Sequence, residues 1–150
     1  MQDSRELAAS IVRNLLSLMR YSHRLGHRLR REHGISGRRL SVLRYLGENG
    51  EHAVSEVSRY LNLRDGTVSP LLDNMAQEGL VTKRRCPDDS RRVLIQITEH
   101  GREVAATAPM TAFGLLRRDL PTLPPVELSA IDAAVSRIVE LAQLDESLME

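Results

Sequence analysis

The hydrophobic period of this chain changes at Gly79, and that change limits what it can fold into. Before it, Val68, Leu71, Leu72 and Met75 fall at i, i+3, i+4 and i+7, one face of a helix. After it, Val93, Ile95 and Ile97 alternate with polar or smaller partners, as in a half-buried strand. Leu80 to Cys86 and Arg92 to Thr98 are short β-branched runs. Pro87-Asp88-Asp89-Ser90-Arg91 between them is turn chemistry with charge. The two runs therefore read as a β-hairpin with a basic loop.

Upstream, a short helix from Ser55 to Leu61 buries Val57 and Leu61. Asn62, Leu63 and Arg64 make a tight connection, and Asp65 is the candidate N-cap of the amphipathic helix. Ser36 can cap an earlier helix, Ser36 to Glu48, with Leu40, Leu43 and Leu46 inward and Asn49-Gly50 as its closing turn. The first helix reads from Ser4 to Arg31 and ends at His33-Gly34, with the glycine in the left-handed cap position. Leu7, Ile11, Leu15, Leu18, Leu25 and Leu29 form its apolar stripe. A second stripe, Ala8, Val12, Leu16 and Met19, widens the face in the first half only. That is more apolar surface than one small core needs, so this half is expected to pack against a second subunit. Downstream, Thr98 caps a helix from Glu99, inside which Pro109 removes the hydrogen bond to Ala105 and kinks or interrupts the run. Pro121 to Pro125 separates the last helix. Its Leu128, Ile131, Val135, Ile138 and Ala142 form a heptad-like seam.

The expected order is three helices, the amphipathic fourth, a hairpin, then two helices. The fold class is mainly α with a small β-hairpin wing, in a single domain over 1–150. Within it, 35–98 is the expected nucleic-acid-binding lobe, with dimerisation helices at 4–31 and 99–145. Leu7, Ile11, Leu15, Ile131, Val135 and Ile138 are the expected dimer contacts.

Taken alone, the formal net charge of only +1 argues against a nucleic-acid partner. It is unevenly spread. Arg5 to Arg44 carries a local +8, Tyr45 to Leu80 a local −4, Val81 to Val93 a local +3, and Leu94 onward a local −5. The basic first third and the basic patch near the middle are what a phosphate-facing surface uses. With no Trp, one Phe and three Tyr, aromatic stacking platforms for bases are nearly ruled out. The acidic, polar start MQDSRELAAS lacks the character of a signal peptide, and no apolar run approaches membrane-span length. A cytoplasmic protein is expected. One cysteine, Cys86, permits neither an internal disulfide nor a cysteine-rich zinc site.

A short helix, a tight turn, a second helix and a two-stranded wing make a winged helix–turn–helix, here Val54 to Arg92. The fourth helix, with its apolar face turned inward, shows Gly66, Thr67, Ser69, Pro70, Asp73, Asn74 and Gln77. Small hydroxyl and amide groups near a helix N-terminus reach base edges and phosphates in a major groove. Arg91 and Arg92 on the wing suit a narrow minor groove, where arginine sheds its hydration more readily than lysine. The expected DNA contacts are therefore Arg38, Arg39, Arg64, Thr67, Ser69, Pro70, Asn74, Arg91 and Arg92.

The stretch VSEVSRYLNLRDGTVSPLLDNMAQEGLVTKRRCPDDSRRVLIQITEHG, about a third of the chain, resembles the MarR family of bacterial transcription regulators. It shares the T-V-S with a paired-leucine helix, the G-L-V, a D-x-R wing at Asp89-Ser90-Arg91, and the closing Ile97-Thr98-Glu99-His100-Gly101. The resemblance implies a homodimer built from the terminal helices, with two recognition helices in successive major grooves of a pseudo-palindromic operator. It implies minor-groove reading by Arg91, supported by Asp89. Two departures stand out. Pro70 occupies a position where many relatives carry a basic residue. The T-V-S-P-L-L form is similar to the branch that senses organic hydroperoxides, yet Leu15, Leu16 and Ser17 stand where that branch has its reactive cysteine.

Other candidates read as structural. Cys86 lies among Lys83, Arg84 and Arg85 but has no resolving partner. His23 and His27 share a helix face with too many arginines for a cation, so no metal and no cofactor is expected. His100 is expected at the surface. Arg20, Arg24, Arg28 and Arg31 either line a ligand cavity or pair with acidic groups, the last helices above all. No catalytic constellation stands out, so an enzyme is not expected. The reading is a dimeric, DNA-binding repressor tuned by a small aromatic or anionic effector, with hinges at Pro109 and Pro121–Pro125. The alternative is a winged-helix module for protein–protein assembly that does not read DNA.

Overall fold

The computed structural model describes residues 3–143. α1 (Ser4–His33) is a 30-residue helix. Asp3 caps its start, and Gly34 closes it at φ 63°, a conformation that costs glycine nothing. α2 (Gly37–Asn49) begins at Ser36, whose hydroxyl accepts the Arg39 N–H. A short strand β1 (His52–Ala53) leads straight into α3 (Val54–Leu61). α4 (Asp65–Gln77) follows across a turn in which Asn62 takes the left-handed conformation. β2 (Val81–Arg85) and β3 (Val93–Ile97) form the hairpin. The chain continues as α5 (Glu99–Thr107), α6 (Ala112–Asp119), a 3₁₀ turn (Leu120–Thr122) and α7 (Pro125–Leu141).

Three differences from the sequence reading have physical causes. First, the sheet has three strands in the order β1-β3-β2, all antiparallel, because His52 and Ala53 pair with Ile95 and Leu94 on the free edge of β3. Second, Asp65 is the first residue of α4 and Arg64 holds the cap position, so the Asp65 carboxylate sits in the positive first turn without capping it. Third, Pro109 ends α5 altogether, which makes three helices after the hairpin instead of two. The Ala105 carbonyl that a residue-109 N–H would have bonded accepts from Arg44 instead. That guanidinium also donates to the Ala108 carbonyl at 2.7 Å and the Pro109 carbonyl at 3.2 Å. Burial lowers its pKa from the ordinary arginine value, against the pull of Glu48 and Tyr60.

The core lies inside the helix–turn–helix and its sheet. Leu29, Leu40, Leu43, Leu46, Val57, Val68, Leu72, Met75 and Ile95 are fully buried. Each such side chain removed from water contributes roughly 1.5–3 kcal/mol. Gly101 lies where α5 meets the sheet. A Cβ there would stand 2.2 Å from the Leu80 carbonyl oxygen and 2.9 Å from Ile97 Cγ1. Thr98 makes that junction: its hydroxyl donates to the Gly79 carbonyl at 2.6 Å and accepts the Gly101 N–H at 3.0 Å.

The two ends of the chain are built differently. The first half of α1 buries nothing, leaving Leu7, Ile11, Val12, Leu15 and Leu16 exposed. α7 likewise has no buried residue: Val135 is exposed, and Ile131 and Ile138 are half-buried. The expected dimerisation segment ran to residue 145, of which 144 and 145 lie outside the described residues. No helix among the described residues is long and apolar enough to cross a membrane.

Candidate nucleic-acid interface and the cavity behind it

α4 presents Gly66, Pro70, Asp73, Asn74 and Gln77 to solvent, with Thr67 and Ser69 half-buried. The helix remains continuous through Pro70. The one bond a proline there forgoes, to Gly66, lies in the first turns, where acceptors and donors are already incompletely paired. Arg64 stands exposed at the entry to the helix.

The wing is a tight, self-bonded loop. The Cys86 N–H donates to the Arg92 carbonyl at 2.8 Å, and the Arg92 N–H to the Asp89 carbonyl at 3.0 Å. The Asp89 carboxylate accepts the Arg91 N–H at 3.0 Å. Asp89 therefore shapes the turn through the backbone of Arg91 and leaves that side chain exposed at the tip. Arg92 is also exposed and lies 4.0 Å from Glu56. Below the tip, ion pairs set the wing against the rest of the lobe. Lys83 pairs with Asp73 of α4, and Arg84 grips Glu51 with two donors, one at 2.7 Å, which raises the arginine pKa above its ordinary value.

Two arginines expected at phosphates have other surroundings. Arg39 is largely covered and pairs with Glu78 at the end of α4, tying α2 to that helix. Arg38 lines a cavity. In the arginine stripe of α1, Arg28 and Arg31 both bond Glu32 of their own helix. Those bonds lower the Glu32 pKa. His23 and His27 bring their Nε2 atoms to 3.1 Å. Among the described residues no three His, Cys, Asp or Glu side chains converge as metal ligands.

The cavity, about 460 Å³, lies between α1, the start of α2, the turn of the helix–turn–helix and α6. Leu25, Leu29, Leu63 and Phe113 give it an apolar body, while Arg38 and Arg117 bring positive charge. Sequence reasoning missed Arg117, which comes from α6. Its guanidinium lies 3.8 Å over the Tyr60 ring and donates to the Tyr60 carbonyl at 2.6 Å. Tyr60 stacks on Tyr45 at 4.2 Å, and Tyr45 meets His52 edge-on at 4.8 Å. Arg117, Tyr60, Tyr45 and His52 thus form a column from α6 through α3 and α2 to β1. Burial raises the Tyr45 pKa.

Comparison with known proteins agrees with this geometry. The sequence pattern of the MarR family matches residues 33–92. The chain is 38% identical over 80 residues to the organic hydroperoxide resistance transcriptional regulator of Bacillus subtilis (strain 168), covering 51% of this chain and 54% of that one. It is 30% identical over 91 residues to the transcriptional regulator SarA of Staphylococcus aureus, covering 59% and 73%. The chain spans about half the length of the first of these regulators. Among solved structures it is similar to Sco3205, a MarR family transcriptional regulator from Streptomyces coelicolor in complex with DNA. The TM-score is 0.65 at 20% identity, covering 96% of this chain and 90% of that one, and the likeness is one of fold.

Proposed function

The chain belongs to the MarR family, and on that premise we propose that it is a sequence-specific, DNA-binding transcriptional repressor. It acts as a homodimer on a pseudo-palindromic operator, and a small molecule in the cavity modulates it. The observation that carries this reading is the wing set beside α4 through Lys83–Asp73 and the Asp89-shaped turn, with Arg91 exposed at its tip. In this reading residues 35–98 form the DNA-binding lobe. Thr67, Ser69, Pro70 and Asn74 face the major groove, Arg91 and Arg92 the minor groove, and Arg38 and Arg64 the flanking backbone. The exposed faces of α1 and α7 meet their counterparts in a second copy, and the breaks at Pro109 and Pro121–Pro125 serve as hinges. The catalytic constellations that would argue for an enzyme are no part of this reading.

The test is binding to the DNA upstream of the protein's own gene, measured across a salt series. A protein that neutralises about 6–10 phosphates loses roughly 10³–10⁵ in affinity between 50 and 200 mM salt. Arg91→Ala is expected to weaken operator binding about 30-fold, from roughly 1 kcal/mol in each of two protomers. The near-neutral charge and the acidic stretch from Tyr45 to Leu80 favour the rival reading, an assembly module without DNA readout. Absence of binding even at low salt would decide for it.

A further inference from the structure

The outward face of α4 is acidic. Gly66, Pro70, Asp73 and Gln77 follow one another at steps of four, three and four residues. All are exposed, on the side of the helix opposite the buried Val68, Leu72 and Met75. Only Asp73 and Gln77 in that row carry polar side chains, and α4 has no arginine or lysine anywhere along it. The helix therefore lacks the side chains that read guanine from a major groove. A bare carboxylate in the middle of this face would also be repelled by the phosphates that line the groove. Lys83, the only lysine in the chain, offsets that charge. It reaches across from β2 and donates to Asp73 Oδ1, so the pair carries no net charge. The bond occupies one carboxylate oxygen, and the Asp73 side chain is 54% exposed, which leaves Oδ2 for a second donor.

We propose that Asp73 is a cytosine reader: in each half-site its carboxylate accepts a hydrogen bond from the N4 amino group of a C·G pair. This rests on the operator-binding regulator proposed above, in which α4 lies in the major groove. The base edges select the target. On its major-groove edge cytosine presents a donor alone, the N4 amino group. Guanine presents two acceptors, N7 and O6. Adenine sets its N7 acceptor beside the N6 donor, and thymine offers the O4 acceptor and a methyl group. An ionised carboxylate only accepts, so cytosine satisfies it and the acceptors on the other three bases repel it. Asparagine in the same place chooses differently. Its amide both donates and accepts, and it pairs with N7 and N6 of adenine.

The experiment selects bound fragments from a random duplex pool with the whole chain and with its Asp73→Asn and Asp73→Ala variants. The parent is expected to enrich cytosine at one fixed position of each half-site. Asp73→Asn should enrich adenine at that position and leave the other positions as they were, and Asp73→Ala should accept all four bases there. On the operator so defined, replacing that C·G pair in both half-sites should weaken the parent about 100-fold, roughly tenfold for each. The same replacement should weaken Asp73→Ala less than about twofold. A carboxylate that served only to tie the wing to α4 would leave the base preferences of all three proteins identical. The asparagine amide keeps the shape of aspartate and still accepts from Lys83, so the wing keeps its tie. That variant decides the matter even where alanine binds too weakly for selection. Base preferences that are the same in the parent and Asp73→Asn, or that shift to a base other than adenine, overturn the proposal and leave operator binding standing. Enrichment of nothing by the parent overturns both.

Discussion

Replacing Ile11 with glutamate is expected to leave a folded monomer whose affinity for the operator is at least about 100-fold lower, close to 2.8 kcal/mol. Ile11 is 47% exposed on a helix half that buries nothing within its own chain. Its neighbours Leu7, Val12, Leu15 and Leu16 are exposed with it. A 17-residue helix such as α7, with no buried residue, has little to stabilise it alone, since isolated helices of that length are marginal in water. In the proposed homodimer, a second copy of the same faces supplies what is missing. In a two-fold interface each substitution occurs twice, so two carboxylates would be buried without partners, at several kcal/mol each. Sedimentation should give a mass near 16.9 kDa for Ile11→Glu and twice that for the parent chain. Ile11→Leu should remain dimeric. A dimer that survives Ile11→Glu with unchanged DNA affinity places the interface elsewhere.

Gly101→Ala is expected to destabilise the fold by about 3 kcal/mol or more, since overpacking of this kind has nowhere to relax. The atom met at 2.2 Å is a backbone oxygen, that of Leu80, and Leu80 is held by the Thr98 hydroxyl and N–H. For a domain of this size the loss corresponds to a fall in Tm of roughly 10 °C. Scanning calorimetry checks it, with Gly26→Ala as the control. A Cβ at Gly26 meets nothing within 4 Å, and alanine in the middle of a helix stabilises it by up to about 1 kcal/mol.

The parts of this fold that announce themselves locally were legible in the sequence. Ser36, Thr98 and Gly34 each stop or start a helix by bonds or backbone angles within a few residues of themselves. The change of period at Gly79 located the hairpin for the same reason. What stayed hidden depends on distant partners. β1 is two residues long and carries no period, and it is a strand only because β3 offers an edge. Pro109 showed where α5 breaks, but nothing local showed that Arg44, 61 to 65 residues earlier, would bond the carbonyls at the break. Arg39 looked like a phosphate ligand because its partner Glu78 lies 39 residues away. Arg117 drew no attention in an acidic region, and its place above Tyr60 exists only once α3 and α6 are packed.

The proposed homodimer reads duplex DNA with a symmetric pair of recognition elements. Selection of bound fragments from a random duplex pool tests it most directly. The expected result is enrichment of an inverted repeat whose half-sites are centred about 10–10.5 base pairs apart, on one face of the helix. Enrichment of a single unpaired half-site, or of nothing above the starting pool, would contradict it.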